Sequence, residues 1–128
     1  MSVLDLLLEV DVEKLNEKTS KEFEVKRLSE KLKGKFLVTC TPLRLEQLNH
    51  ISEISKTTTE MKVNVVIECC RIDGKKFNQK ELREKLNCNT AQEVVEKLFL
   101  PGEIQNLYEV INKMSGYSDK AVEEIKNS

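Results

Sequence analysis

The sequence predicts an α+β fold that is predominantly α-helical, with a small antiparallel β-hairpin near the N-terminus followed by about five helices. Three observations carry this prediction. Beyond Pro42, apolar residues recur at three- and four-residue spacing through most of the chain. Residues 22–26, and in part 35–39, alternate polar and apolar side chains as half-buried strands do. Only four Gly and two Pro are present, and most of them fall at the ends of these runs. With 128 residues the chain makes one domain, residues 1–128, able to bury roughly two-thirds of its unfolded surface.

The elements follow in order. Ser2 is placed to cap a helix over 3–10 that carries Leu4, Leu7 and Leu8 on one side, with Asp5 near its positive end. A second short turn runs over 11–15, and 18–21 reads as a loop. The two strands then flank a short helical segment marked by Leu28 and Leu32, which Gly34 terminates. Thr41-Pro42 opens a helix with Leu45, Leu48, Ile51 and Ile54 on its apolar stripe.

Residues 61–72 pull two ways, because their Val and Ile content favours strand. The polar residues decide for a mostly buried helix, since Asn64, Glu68 and Arg71 share one helical face. Asp73-Gly74 is a turn. Asn78 with Glu81 forms a capping box, with Phe77 and Leu82 as its hydrophobic staple, and Thr90 with Glu93 repeats the box. Ala91, Val94, Val95, Leu98 and Phe99 supply the next stripe. Pro101 begins the following helix, on which Ile104, Leu107, Tyr108, Ile111 and Met114 keep the spacing until Gly116. A last short helix starts at Ser118 and carries Val122 and Ile125.

Composition excludes more than it selects. The net charge is −1, with 34% charged and 39% hydrophobic residues, no Trp, two Tyr, four Phe and one His. A general phosphate-binding surface needs a basic excess, and the basic stretch Lys26, Arg27, Lys31, Lys33, Lys35 is interrupted by Glu30 and lacks interleaved aromatics. It carries the alternative reading, a small nucleic-acid-binding regulator, against which the charge balance weighs. No apolar run reaches the length of a membrane span, and the greasy start carries Asp5 with no basic segment before it, unlike a signal peptide.

Cys40, Cys69, Cys70 and Cys88 have no zinc-ligand spacing and read as buried free thiols. His50 stands alone. Neither phosphate-loop nor dinucleotide glycine spacing occurs. The residues therefore predict no catalytic site, no metal and no cofactor, and leave binding by surface shape. The helix bearing Leu4, Leu7 and Leu8 is too short to stand alone and must dock on its own core or on a partner.

The C-terminal third carries a resemblance. Leu98-Phe99-Leu100-Pro101-Gly102-Glu103-Ile104, then Leu107-Tyr108, Ile111, Ser115-Gly116-Tyr117 and Glu123-Glu124-Ile125-Lys126-Asn127, are similar to the XkdN-like phage tail assembly chaperones. Upstream, Val12-Glu13-Lys14-Leu15, Val25-Lys26-Arg27-Leu28-Ser29, residues 36–39, Leu43 and Leu45-Glu46-Gln47-Leu48 resemble that family in order, so the likeness spans about 10–127. Residues 55–64 and the cysteines fall outside it.

The resemblance implies a non-enzymatic protein of the bacterial host cytoplasm, encoded by a contractile-tailed phage, prophage or phage-tail-like bacteriocin and absent from the mature tail. Its partner would be the tape-measure protein, with the tail tube protein as a second candidate. Candidate partner-binding residues are Leu4, Leu7, Leu8, Leu107, Tyr108 and Tyr117. The motif residues Leu100, Pro101, Gly102, Glu103, Ile104 and Gly116 are expected to set angles between helices.

Overall fold

The computed structural model describes residues 1–17, 19–118 and 120–125. Its elements are α1 (Val3–Glu9), α2 (Val12–Leu15), β1 (Lys21–Glu24), α3 (Lys26–Leu32), β2 (Leu37–Cys40), α4 (Leu45–Ile54), α5 (Thr58–Cys69), β3 (Cys70–Arg71), α6 (Lys80–Leu86), α7 (Ala91–Leu98) and α8 (Pro101–Met114). The fold is α+β and mostly helical, as the sequence predicts.

Local chemistry explains most boundaries. Ser2 Oγ accepts from the Asp5 N–H at 3.1 Å while Asp5 Oδ2 accepts from the Ser2 N–H at 3.2 Å, a closed capping box. Thr90 Oγ1 likewise accepts from the Glu93 N–H at 3.1 Å, but Glu93 reaches back to the Asn89 N–H at 2.9 Å, one residue further out. The start of α6 lies one residue beyond the expected cap. Gln79 occupies the cap position without a side-chain capping bond, and the Asn78 carbonyl instead accepts from Arg83 Nε at 3.0 Å. Pro42 precedes α4 by three residues, and the cap is Arg44, whose N–H donates to Gln47 Oε1 at 2.9 Å. At the end of α3 the left-handed residue is Lys33, with φ +55°, so Gly34 follows the stop without supplying it.

The expected hairpin forms as β1 against β2, antiparallel from Lys21↔Cys40 to Glu24↔Leu37, with α3 between the strands. A third strand is a correction to the sequence reading. The helix expected over 61–72 ends at Cys69, and Cys70 and Arg71 pair with the free edge of β2 through Cys40↔Cys70 and Thr39↔Arg71. That edge provides a reason to stop: the Thr41 N–H donates to the Cys69 carbonyl at 2.9 Å, satisfying a group that α5 leaves open. Asp73-Gly74 turns as expected, both residues at positive φ, and Ile72 bridges Lys75 across it. No helix occurs at 120–125, contrary to expectation, while Asp119 and 126–128 lie outside the described residues.

Helix α5 forms the centre. Val63, Val65, Val66 and Cys69 are buried, and α4, α7, α8 and β3 pack around them. Val38 and Cys40 from β2, Ile51, Phe77, Val94, Val95, Phe99 and Ile111 complete the core. Phe99 meets Phe77 and Phe36 edge-on, with ring centroids 5.8 Å and 6.2 Å apart. All four cysteines are buried thiols, as expected, and Cys40 Sγ lies 3.6 Å from Cys70 Sγ. The hydrogen bond shared with Cys40, together with burial, pushes the Cys70 thiol up, which keeps it protonated and unreactive.

Every residue of this core lies at or after Phe23. Deleting a core side chain should therefore cost far more than deleting one from α1. Ile111→Ala is expected to lower unfolding free energy by about 2–5 kcal/mol, and Leu7→Ala to change it by less than about 0.5 kcal/mol, both read from urea denaturation.

Candidate functional site

The N-terminal arm bears large apolar side chains that are at least half exposed. Neither α1 nor α2 contains a buried residue. In α1, Val3 is 81% exposed, Leu4 62%, Leu6 54%, Leu7 51% and Leu8 75%. Leu4, Leu7 and Leu8 thus lie outside the core, and Leu6 joins them although its position is off their stripe. The polar residues of the arm are mostly acidic: Asp5, Glu9, Asp11, Glu13 and Glu17 against Lys14.

A cleft of about 250 Å³ lies between the start of α4 and the end of α8, lined by Leu43, Arg44, Leu45, Leu48 and the Ser115-Gly116-Tyr117 turn. Gly116, at φ +92°, permits that turn. The Tyr117 N–H donates to the Asn112 carbonyl at 3.1 Å and the Gly116 N–H to the Lys113 carbonyl at 3.3 Å, closing the end of α8. Ser115 Oγ accepts from the Leu43 N–H at 2.8 Å, fastening the approach to α4 onto this turn. Leu45 and Tyr117 remain exposed on the cleft, and Arg44 Nη1 donates to Asn16 Oδ1 at 3.3 Å. That bond joins the end of α2 to the cleft rim. Tyr117 is thus exposed on the cleft whose rim meets the end of α2, while Leu4, Leu7 and Leu8 are exposed on α1.

The remaining motif residues build a clasp. Arg27 Nε and Nη2 donate to the two Glu103 carboxylate oxygens at 3.0 Å and 2.9 Å, and Nη2 also reaches the Leu98 carbonyl at 2.9 Å. Glu103 Oε1 in turn accepts from the Leu100 N–H at 2.8 Å, so one carboxylate joins α3 to the junction of α7 and α8. Pro101 is the first residue of α8, as expected, and Leu100, Pro101 and Gly102 are exposed while Ile104 is half-buried. The hydrogen bonds from Arg27 hold the Glu103 carboxyl below its ordinary 4.5.

Leu107 and Tyr108 are presented differently from the arm. Leu107 is 5% exposed and belongs to the core, where it also floors a groove with Phe23, Val25 and Val110. Tyr108 is half-buried, and Lys62 Nζ lies 5.5 Å from its ring centroid. Sequence reasoning missed Leu6 and Leu45 as exposed apolar residues, and half-buried Arg44 as part of the cleft rim. Leu45 reads as part of the stripe of α4, yet as the first helical residue it projects beyond the core.

Among the described residues no group of three His, Cys, Asp or Glu side chains could hold a metal ion, and no helix is long and apolar enough to cross a membrane. The basic stretch at 26–35 has its one guanidinium engaged by Glu103. What the surface offers chemically is apolar contact on an acidic arm beside an apolar cleft.

A lowered carboxyl pKa stabilises the folded state above about pH 4.5, and that stability is lost as pH falls through the lowered value. The thermal midpoint of the wild-type chain should therefore drop more steeply on acidification below about pH 4.5 than that of Glu103→Gln. Parallel curves would mean that the clasp does not couple protonation to folding.

The family model of the phage XkdN-like tail assembly chaperone protein matches residues 4–127. No curated protein and no solved structure matches the chain.

Proposed function

The chain belongs to the phage XkdN-like family of tail assembly chaperones, and we propose that it binds the tape-measure protein and keeps it soluble until tail tube subunits polymerise around it. The observation that carries this reading is the uncovered apolar arm, with five large side chains on the seven residues of α1 and none of them buried. A seven-residue helix without tertiary packing is marginal in water, because its nucleation cost is repaid by too few hydrogen bonds. Docking on a partner helix removes that deficit and covers the leucines.

The family membership supports protein partners engaged in tail assembly. In this reading the chain acts as a single domain, performs no catalysis, works in the cytoplasm of the bacterial host and leaves before the tail is complete. The 34% of charged residues serve it directly, since a complex with an insoluble partner must itself stay in solution. Leu4, Leu7, Leu8 and Tyr117 make the contact. Tyr108 lies at its margin, and Leu107 contributes from the core by fixing α8.

Co-expression with the tape-measure protein of the same gene cluster tests the proposal. The partner should appear in the soluble fraction with the wild-type chain and precipitate with Leu7→Asp, while Leu7→Asp itself melts like wild type. Equal precipitation of the partner with and without the wild-type chain would refute it.

A further inference from the structure

We infer that the arm formed by α1 and α2 recognises a cationic amphipathic helix, one whose leucine-like face seats on Leu4, Leu7 and Leu8 while its lysines or arginines meet the carboxylates of the arm. The inference deepens the proposed function, and rests on it only in taking the occupant to be a protein helix. Residues 1–17 carry five carboxylates, Asp5, Glu9, Asp11, Glu13 and Glu17, against the single Lys14. These charges are interleaved with side chains that are more than half exposed, so a partner covering the leucines brings its own flanks beside carboxylates. Cationic flanks are attracted there, and anionic ones are repelled.

The same chemistry disfavours the other classes of occupant. Helices that lie on anionic membranes carry basic polar faces, the opposite of this arm. Nucleic acid would oppose phosphates to the carboxylates. Pairing of α1 with α1 in a second copy sets like charges against each other. The apolar groove floored by Leu107, with Phe23 and Val110, is a surface on which a second copy could seat the arm. Its lining is charge-balanced, with the Glu24 and Glu103 carboxylates against Lys26 and Arg27, so it offers the acidic arm no net attraction. A foreign helix with basic flanks meets none of these penalties.

The test uses the full-length chain and two synthetic amphipathic helical peptides with identical leucine faces, one with lysine and one with glutamate on the polar face. Binding is followed by fluorescence anisotropy at about 0.1 M salt, where surface charges are only partly screened. The lysine peptide should bind at least about tenfold more tightly than the glutamate peptide. In the Glu9→Lys/Glu13→Lys/Glu17→Lys variant, which spares the capping residues Ser2, Asp5 and Asp11, the preference should reverse. Leu4→Asn/Leu7→Asn, which leaves the charge unchanged, should weaken the lysine peptide by about tenfold or more, and circular dichroism should show both variants folded.

Equal binding of the two peptides overturns the inference. So does lysine-peptide binding that survives loss of the leucines, which would be adsorption by charge alone. Sedimentation of the wild-type chain as a dimer that Leu7→Asp dissociates also overturns it, by making a second copy the occupant. The two readings fail separately. Solubilisation of the tape-measure protein without any charge preference removes this inference and leaves the proposed function standing. A charge preference without solubilisation does the reverse.

Discussion

Helix α5 is buried on opposite sides at once, and the rest of the molecule follows from that. Val63 and Val65 lie about 200° apart around the helix axis, yet each is 1% exposed. A helix with apolar side chains on both sides cannot lie on a surface; it has to be surrounded. Helices α4, α7 and α8 and strand β3 do the surrounding, and each contributes residues whose own apolar stripes point inward. The small sheet closes one end, with β2 delivering Val38 and Cys40 against the helix and pairing with the chain as it leaves α5.

Once α5 is enclosed, the core is complete without the first twenty-two residues. The apolar side chains of α1 are surplus to folding, and they are uncovered for that reason. Surface leucines scattered singly need no explanation, whereas five large apolar residues on one short helix do. The clasp between Arg27 and Glu103 makes the same separation from the other side. It fastens α3 to the junction of α7 and α8, so the body is held together by contacts that do not involve the arm. Among the described residues, the arm's polar attachment through Asn16 and Arg44 is an exposed hydrogen bond, weak enough to permit rearrangement.

Most features that depend on neighbours along the chain are legible in the sequence itself, the Asn78 cap and the helix expected from Ser118 being exceptions. The stripes of α4, α7 and α8, the Ser2 cap, the Asp73-Gly74 turn and the stop at Gly116 all arise from residues within one or two turns of each other. Features that depend on distant partners are not legible there. Strand β3 exists because β2 offers it an edge from thirty positions upstream, so 70–72 leave the helix that their polar neighbours favour. Arg27 and Glu103 are 76 residues apart, and by itself Arg27 reads as part of a basic cluster. Periodicity marks Leu7 and Leu107 alike as apolar stripe residues. Only the packed structure separates them, Leu107 buried on the inner face of α8 and Leu7 half-exposed on the arm.

The central claim is that α1 is an unsupported helix in the free chain and acquires its partner during tail assembly. Amide hydrogen exchange measures this directly, because protection reports the free energy of local opening. In the isolated protein the α1 amides should exchange nearly as fast as an unfolded chain while those of α5 stay protected. In the complex with the tape-measure protein the α1 amides should become protected and α5 should not change. Strong protection of α1 in the isolated protein, or its unchanged exchange in the complex, would contradict the account.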